Sequence, residues 1–371
     1  LKPPAKSQNV GCAKQWIKLF MVAWKVQVLA ACIVLSRADR NVPSGTAQTR
    51  MSCTLLPATQ QCLPDFLVIG AQKAGTTTLY NLMASHPQIV PPQKKEALFL
   101  YSWDRKHVCD PPTSRPTLDE LYEYAQVAGF PTLGELANKS SSRITGEWSS
   151  TYFAGWCCPA AVKRVFPSVR IVLQLRDPVL RAHSRFEELY ELGRKNGGYV
   201  RELTFMGFNL FALAEMTSLE WCMNQSAILL DEVRCAAGSS ILGFSMYSPF
   251  LRLWLQDFDR TQLLVTYVDD LASQPLKVMR TIEAHLGIEP FDYSSRVGFA
   301  YNARGGVRSW GVESRTAVRD RGSNYTTCDS LGIEKVVCDK LFDFYRPAME
   351  SLYELIQEGA ISPWPVSWLE K

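Results

Sequence analysis

Phe66, Leu67, Val68 and Ile69 form an apolar run of strand length, closed by Gly70. After a loop of small residues, Leu79, Leu82 and Met83 recur at helical spacing and predict a helix that opens at Thr76–Thr78. The same succession returns at Val169–Leu175, a run rich in β-branched residues, and a third strand is predicted over Gln262–Val268. Leu251, Trp254, Leu255 and Phe258 stripe one helix before that strand. Val278, Met279, Ile282 and Leu286 stripe another over Pro275–Leu286. These stripes are core positions. Phe205–Leu230 also reads as helical, and Arg105–Thr117, with Pro111, Pro112 and Pro116, reads as a loop. Strands alternating with helices predict an α/β fold: a central parallel sheet flanked by helices. No internal repeat is present.

The N-terminal part follows a different pattern. Asn41–Leu63 is rich in Ser, Thr, Pro and Gln without periodicity and reads as a linker or stem. Trp16–Leu35 is apolar and about long enough to span a bilayer, but Lys18, Lys25 and Gln27 interrupt it. It is either an anchor or signal, or an amphipathic or fortuitous apolar stretch. The organisation expected is therefore a lead and stem over residues 1–63 and one enzyme-sized domain over 64–371. With 371 residues, 47% hydrophobic and 20% charged, the chain can bury a full core. Its net charge of +4 is too mild to argue for nucleic-acid binding and is compatible with anionic substrates.

The chemistry concentrates where the first strand meets the first helix. Gly70 and Gly75 keep the glycine spacing of a nucleoside-triphosphate loop, G-x-x-x-x-G-K-[ST], but Thr76 stands where that loop has its lysine. The lysine is instead Lys73, inside the loop. A strand turning through glycines into a helix N-terminus aims backbone N–H groups at one point, which suits a phosphate or another tetrahedral oxyanion.

This arrangement resembles the 5′-phosphosulfate loop of sulfotransferases that use 3′-phosphoadenosine 5′-phosphosulfate (PAPS). The resemblance implies that Gln72, Lys73, Ala74, Gly75, Thr76 and Thr77 bind the donor. A second family signature follows the Val169 strand: Arg176-Asp177-Pro178, then a helix bearing Ser184. By resemblance Arg176 and Ser184 hold the nucleotide's 3′-phosphate, roles that suit a planar guanidinium fork and a hydroxyl. The two elements lie about a hundred residues apart and must converge, which argues for one domain. Lys95, Glu96 and Phe99 resemble the family's K-E-x-H-F-F element, with Leu98 in place of its histidine and Leu100 in place of its last phenylalanine. TGEWSSTYF, from Thr145, resembles T-G-E-x-[ST]-P-x-Y-F, with Trp148 where some glycan relatives carry lysine. Further matches run through Gly243–Leu271 to the C-terminus, and the family branch implied is that of Golgi carbohydrate sulfotransferases of the heparan sulfate type.

In-line sulfuryl transfer needs a held donor, charge neutralisation on the leaving phosphate and removal of the acceptor's proton. Lys73 with the loop amides suits the second task and Glu96, as general base, the third. No metal is expected. Cytosolic relatives of the family use histidine as base; here His86, His183 and His285 are read as packing or surface residues, and His107, after the charged WDRK loop, as a residue on the acceptor side at most.

The resemblance further implies a disulfide between Cys328 and Cys338, and Cys222–Cys235 is a second plausible pair. Eleven cysteines, with glycosylation triplets at Asn138, Asn224 and Asn324, tilt the expected compartment to the Golgi lumen, as a type II membrane glycoprotein. The acceptor expected is a carbohydrate hydroxyl or amine. Two other readings stay open: a P-loop nucleotide-triphosphate kinase or hydrolase, with the Asp269-Asp270 strand end as its metal site, and a luminal nucleotide- or glycan-binding protein without catalysis.

Overall fold

A computed structural model describes residues 53–101, 117–138, 141–196, 205–297, 299–303, 306–309, 328, 331–364 and 368. The candidate anchor at 16–35, His107, the last two residues of the Asn138 triplet and the Asn324 triplet lie outside them. Among the described residues no helix is long and apolar enough to cross a membrane.

Two short strands come first, β1 (Thr54–Leu56) and β2 (Gln61–Leu63), paired antiparallel and closed by the Cys53–Cys62 disulfide. The sequence placed these residues at the end of a stem. Instead Cys62 N–H donates to Pro131 O (2.9 Å) and Gln61 Nε2 to Ala125 O (3.2 Å), so the hairpin is tied to the domain. A hairpin so short has no periodicity to read; its turn and its disulfide define it.

The central sheet holds β3 (Phe66–Gly70), β4 (Gly146–Trp148), β5 (Arg170–Leu175) and β6 (Leu263–Tyr267) in the order β4-β3-β5-β6, all parallel. Three of these are the predicted strands, within a residue or two at the ends. The fourth, β4, escapes sequence reading because three residues carry no pattern. Side chains alternate across the sheet as a two-residue period demands. Leu67, Ile69, Ile171, Leu173 and Leu175 enter the larger apolar cluster; Phe66, Val68, Val172 and Trp148 enter the smaller one.

Helices cover both faces. α1 (Thr76–Ala84) and, later in the chain, the Val278–Leu286 stripe pack in the smaller cluster. α2 (Leu118–Ala128) follows a capping box in which Thr117 and Glu120 bond reciprocally, and ends at Gly129 in the left-handed region. α3 (Cys158–Val165) links β4 to β5, and α4 (Pro178–Asn196) follows β5. The helix predicted over Phe205–Leu230 is α5 (Phe208–Gln225); α6 (Leu229–Ala237) starts at its end and is joined to it by the Cys222–Cys235 disulfide. α7 (Tyr247–Asp257) precedes β6, α8 (Val268–Ser273) follows it at once, and α9 (Pro275–Leu286) has the predicted bounds. An antiparallel pair, β7 (Phe299–Ala303) and β8 (Gly306–Ser309), precedes α10 (Lys335–Gln357), which the Cys328–Cys338 disulfide anchors.

The strand order reverses between β3 and β5: the chain steps from β3 to β4 on one side, then returns to β5 on the other. A crevice opens at the carboxyl ends of such a pair. Both family-like motifs sit there, one after each strand.

Candidate active site

The loop from Gly70 to Gly75 is shaped from three sides. Gly70 is required by close approach, since a Cβ there would sit 2.7 Å from Phe153 Cβ and 3.0 Å from Ser150 O. Gly75, at φ 73°, starts α1 from the left-handed region. From β5, Gln174 O accepts Ala71 N–H (2.7 Å) and Gln174 Nε2 donates to Ala74 O. Ala74 N–H in turn donates to Ala71 O, so Ala74 shapes the loop with both its backbone groups committed. Two guanidiniums complete the cradle: Arg176 Nη1 donates to Lys73 O (3.2 Å) and Arg181 Nε to Gln72 O (2.9 Å).

The first amides of a helix have no intrahelical partner, and the α1 N-terminus adds partial positive charge. Thr76 and Thr77 occupy that end, Thr76 almost buried. In the same loop, Gln72 Oε1 is buried without a hydrogen-bond partner among the described residues. An anionic ligand with polar substituents fits such a set of groups. Lys73, itself at φ 69°, sends its ammonium 3.1 Å from Glu188 Oε1 on α4, and Arg185 Nη1 meets Glu188 Oε2 at 2.6 Å. Burial works against the Glu188 charge, but Lys73 and Arg185 hold its carboxyl below the usual range.

Glu96 reaches the same place from the other edge. Its main-chain N–H donates to Trp148 O (2.8 Å), at the end of β4. Its Oε2 accepts Ser150 N–H (2.9 Å), and Ser150 Oγ donates to Oε1 (3.0 Å). Lys95 Nζ lies 3.2 Å from Glu96 Oε1 and 3.1 Å from Thr77 Oγ1. One lysine thus bridges the carboxylate to the head of α1. Ser184 lies half-buried on α4, the helix that also carries Arg181, Arg185 and Glu188.

Several residues that sequence reasoning passed over prove structural to this site: Ser150, Glu147, Glu188 and Arg181. Only their place inside the family-like segments could have drawn attention to them. Trp148 is 1% exposed and packs edge-on against Phe66 and Tyr80, which makes it core and not an acceptor contact. His86 is buried between Gln88 N and Glu289 O. His285 faces Ile171 O and is pushed down by burial, and His183 pairs with Glu187 and lies edge-on to Phe208. All three have the packing roles expected. Asp269 Oδ2, in the first turn of α8, accepts Trp368 Nε1–H (3.0 Å), so that strand end is tied to the C-terminal segment.

Asp177 has a measurable consequence. It is 5% exposed, and its Oδ1 accepts Leu180 N–H at the start of α4. Burial raises its carboxyl from 3.8 to about 6, against the pull of that amide, with Asp269 adding to the rise. Between these values the folded chain keeps a proton that the unfolded chain has released, so stability falls as the pH rises through the window. Asp177→Asn keeps the cap acceptor and removes the loss. It is expected to stabilise by on the order of 1–3 kcal/mol above about pH 6.5 and hardly at all near pH 4. Urea midpoints across that range check this; a gain independent of pH would contradict it.

Residues 64–213 match the model of the sulfotransferase family. The human bifunctional heparan sulfate N-deacetylase/N-sulfotransferase 2 is 26% identical over 83% of this chain and 31% of its own length. The Caenorhabditis elegans bifunctional heparan sulfate N-deacetylase/N-sulfotransferase 1 is 23% identical over 84% of this chain and 32% of its length. The chain therefore spans about a third of these relatives. Membrane-associated sulfotransferase kil1 of Dictyostelium discoideum is 24% identical over 62% of this chain and 58% of its length. A crystal structure of a sulfotransferase from Alicyclobacillus acidocaldarius covers 83% of this chain and 99% of its own, at 21% identity and a TM-score of 0.50, and shares the fold. Over residues 64–213 the chain is thus similar to the sulfotransferase family, and the relatives that match it beyond those bounds are sulfotransferases too.

Proposed function

We propose that this chain transfers the sulfuryl group of PAPS to a hydroxyl or amine of a carbohydrate, with Glu96 as the general base. The observation that carries this reading is the Lys95 bridge, which links the Glu96 carboxylate to Thr77 at the mouth of the anion-binding loop. The 5′-phosphosulfate would lie against the amides of Gly75, Thr76 and Thr77, with Gln72 and Lys73 beside it. Arg176 and Ser184, after β5, would take the 3′-phosphate. As the acceptor oxygen or nitrogen bonds to sulfur, the bond from sulfur to the phosphate oxygen breaks and charge gathers on the departing phosphate. Lys73 and the α1 N-terminus stabilise that charge from fixed positions. The acceptor's proton passes to Glu96, which Ser150 orients through two hydrogen bonds.

The acceptor class follows from the heparan sulfate enzymes among the relatives. A Golgi lumen setting, with a type II anchor and glycans, is part of the same proposal. It is supported by the disulfides Cys53–Cys62, Cys222–Cys235 and Cys328–Cys338, which persist in an oxidising compartment. The exposed Asn224, at the end of α5, is open to a glycan.

Incubating the chain with sulfur-labelled PAPS and a panel of polysaccharides, N-desulfated heparan among them, tests the reading. Label is expected in a polysaccharide. Magnesium-dependent turnover of nucleoside triphosphate without sulfate transfer would instead favour a P-loop kinase or hydrolase, and donor binding without transfer a non-catalytic protein.

A further inference from the structure

Beneath the site lies a buried carboxylate that the proposed reaction does not use. Glu147, in the middle of β4, is 0% exposed, and among the described residues no cationic side chain pairs with it. Three hydroxyls donate to it: Tyr124 OH to Oε2, Ser149 Oγ to Oε1, and Tyr152 OH to Oε1, the last at 2.9 Å. A hydroxyl has one hydrogen. With that hydrogen committed to the carboxylate, each oxygen is left as an acceptor.

Two of those acceptors are used, both on the segment that carries Glu96. Leu98 N–H donates to Ser149 Oγ (3.0 Å) and Leu100 N–H to Tyr152 OH (3.1 Å). The third hydroxyl bearer, Tyr124, stacks on Phe99, with centroids 4.6 Å apart and planes at 19°. Three consecutive residues, 98 to 100, are thus held by groups that converge on Glu147. The segment needs holding. Glu96 and Leu98 both adopt left-handed backbone, φ 63° and 58°, which residues bearing a Cβ sustain only where the surroundings impose it.

We propose that Glu147 is a positioning residue: acting through Ser149, Tyr152 and Tyr124, it fixes the 96–100 backbone so that the Glu96 carboxylate meets Ser150 and Lys95 at the head of α1. The inference rests on the reading of Glu96 as the base. The carboxylate is needed for its acceptor character, beyond its size. A glutamine at 147 would turn an NH2 toward the three hydroxyls. At least one of them would then have to accept: Tyr124, which stacks on Phe99, or Ser149 and Tyr152, whose hydrogens would swing toward the Leu98 and Leu100 N–H groups they now receive.

Glu147→Gln and Tyr152→Phe test this beside Glu96→Gln. The readouts are kcat, affinity for adenosine 3′,5′-bisphosphate, and hydrogen exchange at the Leu98 and Leu100 amides. Both positioning variants are expected to lower kcat on the order of 10- to 100-fold, the cost of a displaced reacting group. Nucleotide affinity should stay within about twofold, because the loop after β3 is untouched. Faster exchange is expected at Leu98 and Leu100 in Glu147→Gln, and at Leu100 in Tyr152→Phe. If either variant keeps kcat within about twofold, or if turnover and nucleotide affinity fall together, the assignment is overturned. Should Glu147→Gln not fold, Tyr152→Phe decides alone, since it removes one hydroxyl and leaves the carboxylate in place. A fully active Glu96→Gln would reject the base reading, and this inference with it. An active Glu147→Gln beside an inactive Glu96→Gln would reject this inference only.

Discussion

Glu96→Gln is expected to lower sulfuryl transfer by about 10²–10⁴-fold, the range by which a positioned proton acceptor accelerates such a step. The substitution is close to isosteric. The glutamine Oε1 can still accept Ser150 N–H, and Lys95 keeps its contact with Thr77, so the geometry around the carboxylate should persist. What should be lost, on the proposed role of Glu96, is the ability to take a proton from the acceptor. Donor affinity should therefore change little, because the loop amides, Lys73, Arg176 and Ser184 are unaltered. Turnover measured under saturating donor, beside direct titration of the nucleotide, separates the two quantities. Full activity in this variant would remove Glu96 from the chemistry.

Arg181→Met is expected to destabilise the fold by about 3–5 kcal/mol and to weaken nucleotide binding as well. Arg181 is 0% exposed, and burial pulls its guanidinium down to about 10, still charged at neutral pH. It donates to Gln72 O (2.9 Å), Ile241 O (2.7 Å), Ser240 O (2.8 Å) and Ser245 Oγ (3.3 Å). Replacing a buried ion pair by apolar groups can be nearly neutral when both partners leave. Here the partners are three main-chain carbonyls, which stay behind without donors. Gln72 O belongs to the Gly70–Gly75 loop itself, the proposed donor site, so its loosening should reach the nucleotide. Arg181→Lys should recover only part of the loss, since a compact ammonium cannot fork between the loop and the Ser240–Ile241 turn. Urea unfolding of both variants measures this; a methionine variant within about 1 kcal/mol of the parent would contradict it.

The parts of the fold legible in the sequence were those with a long or repeated apolar signal. β3, β5, β6 and α9 each present four or more patterned residues, and the glycines around Lys73 mark the loop between β3 and α1. Other elements left weaker traces. β4 is three residues long, so its place at the sheet edge comes from pairing with β3 and not from any local pattern. α2 had a usable signal, Thr117-x-x-Glu120, in the capping box it forms. The hairpin at 54–63 looked like a stem because two three-residue strands show no alternation.

The candidate site divides in the same way. Lys73, Glu96, Arg176 and Ser184 stand out through type and motif. Ser150, Glu188 and Arg181 act through contacts across 54, 115 and 109 residues of chain, respectively. No local window contains both ends of such a contact.

The turns after β3 and β5 are proposed to close on one adenosine nucleotide, which calorimetric titration with adenosine 3′,5′-bisphosphate decides. Saturable one-to-one binding is predicted, weakened about tenfold or more by Arg176→Ala through loss of a charged phosphate contact. Well-folded protein that takes up no nucleotide, or binds it equally well without Arg176, would contradict the account.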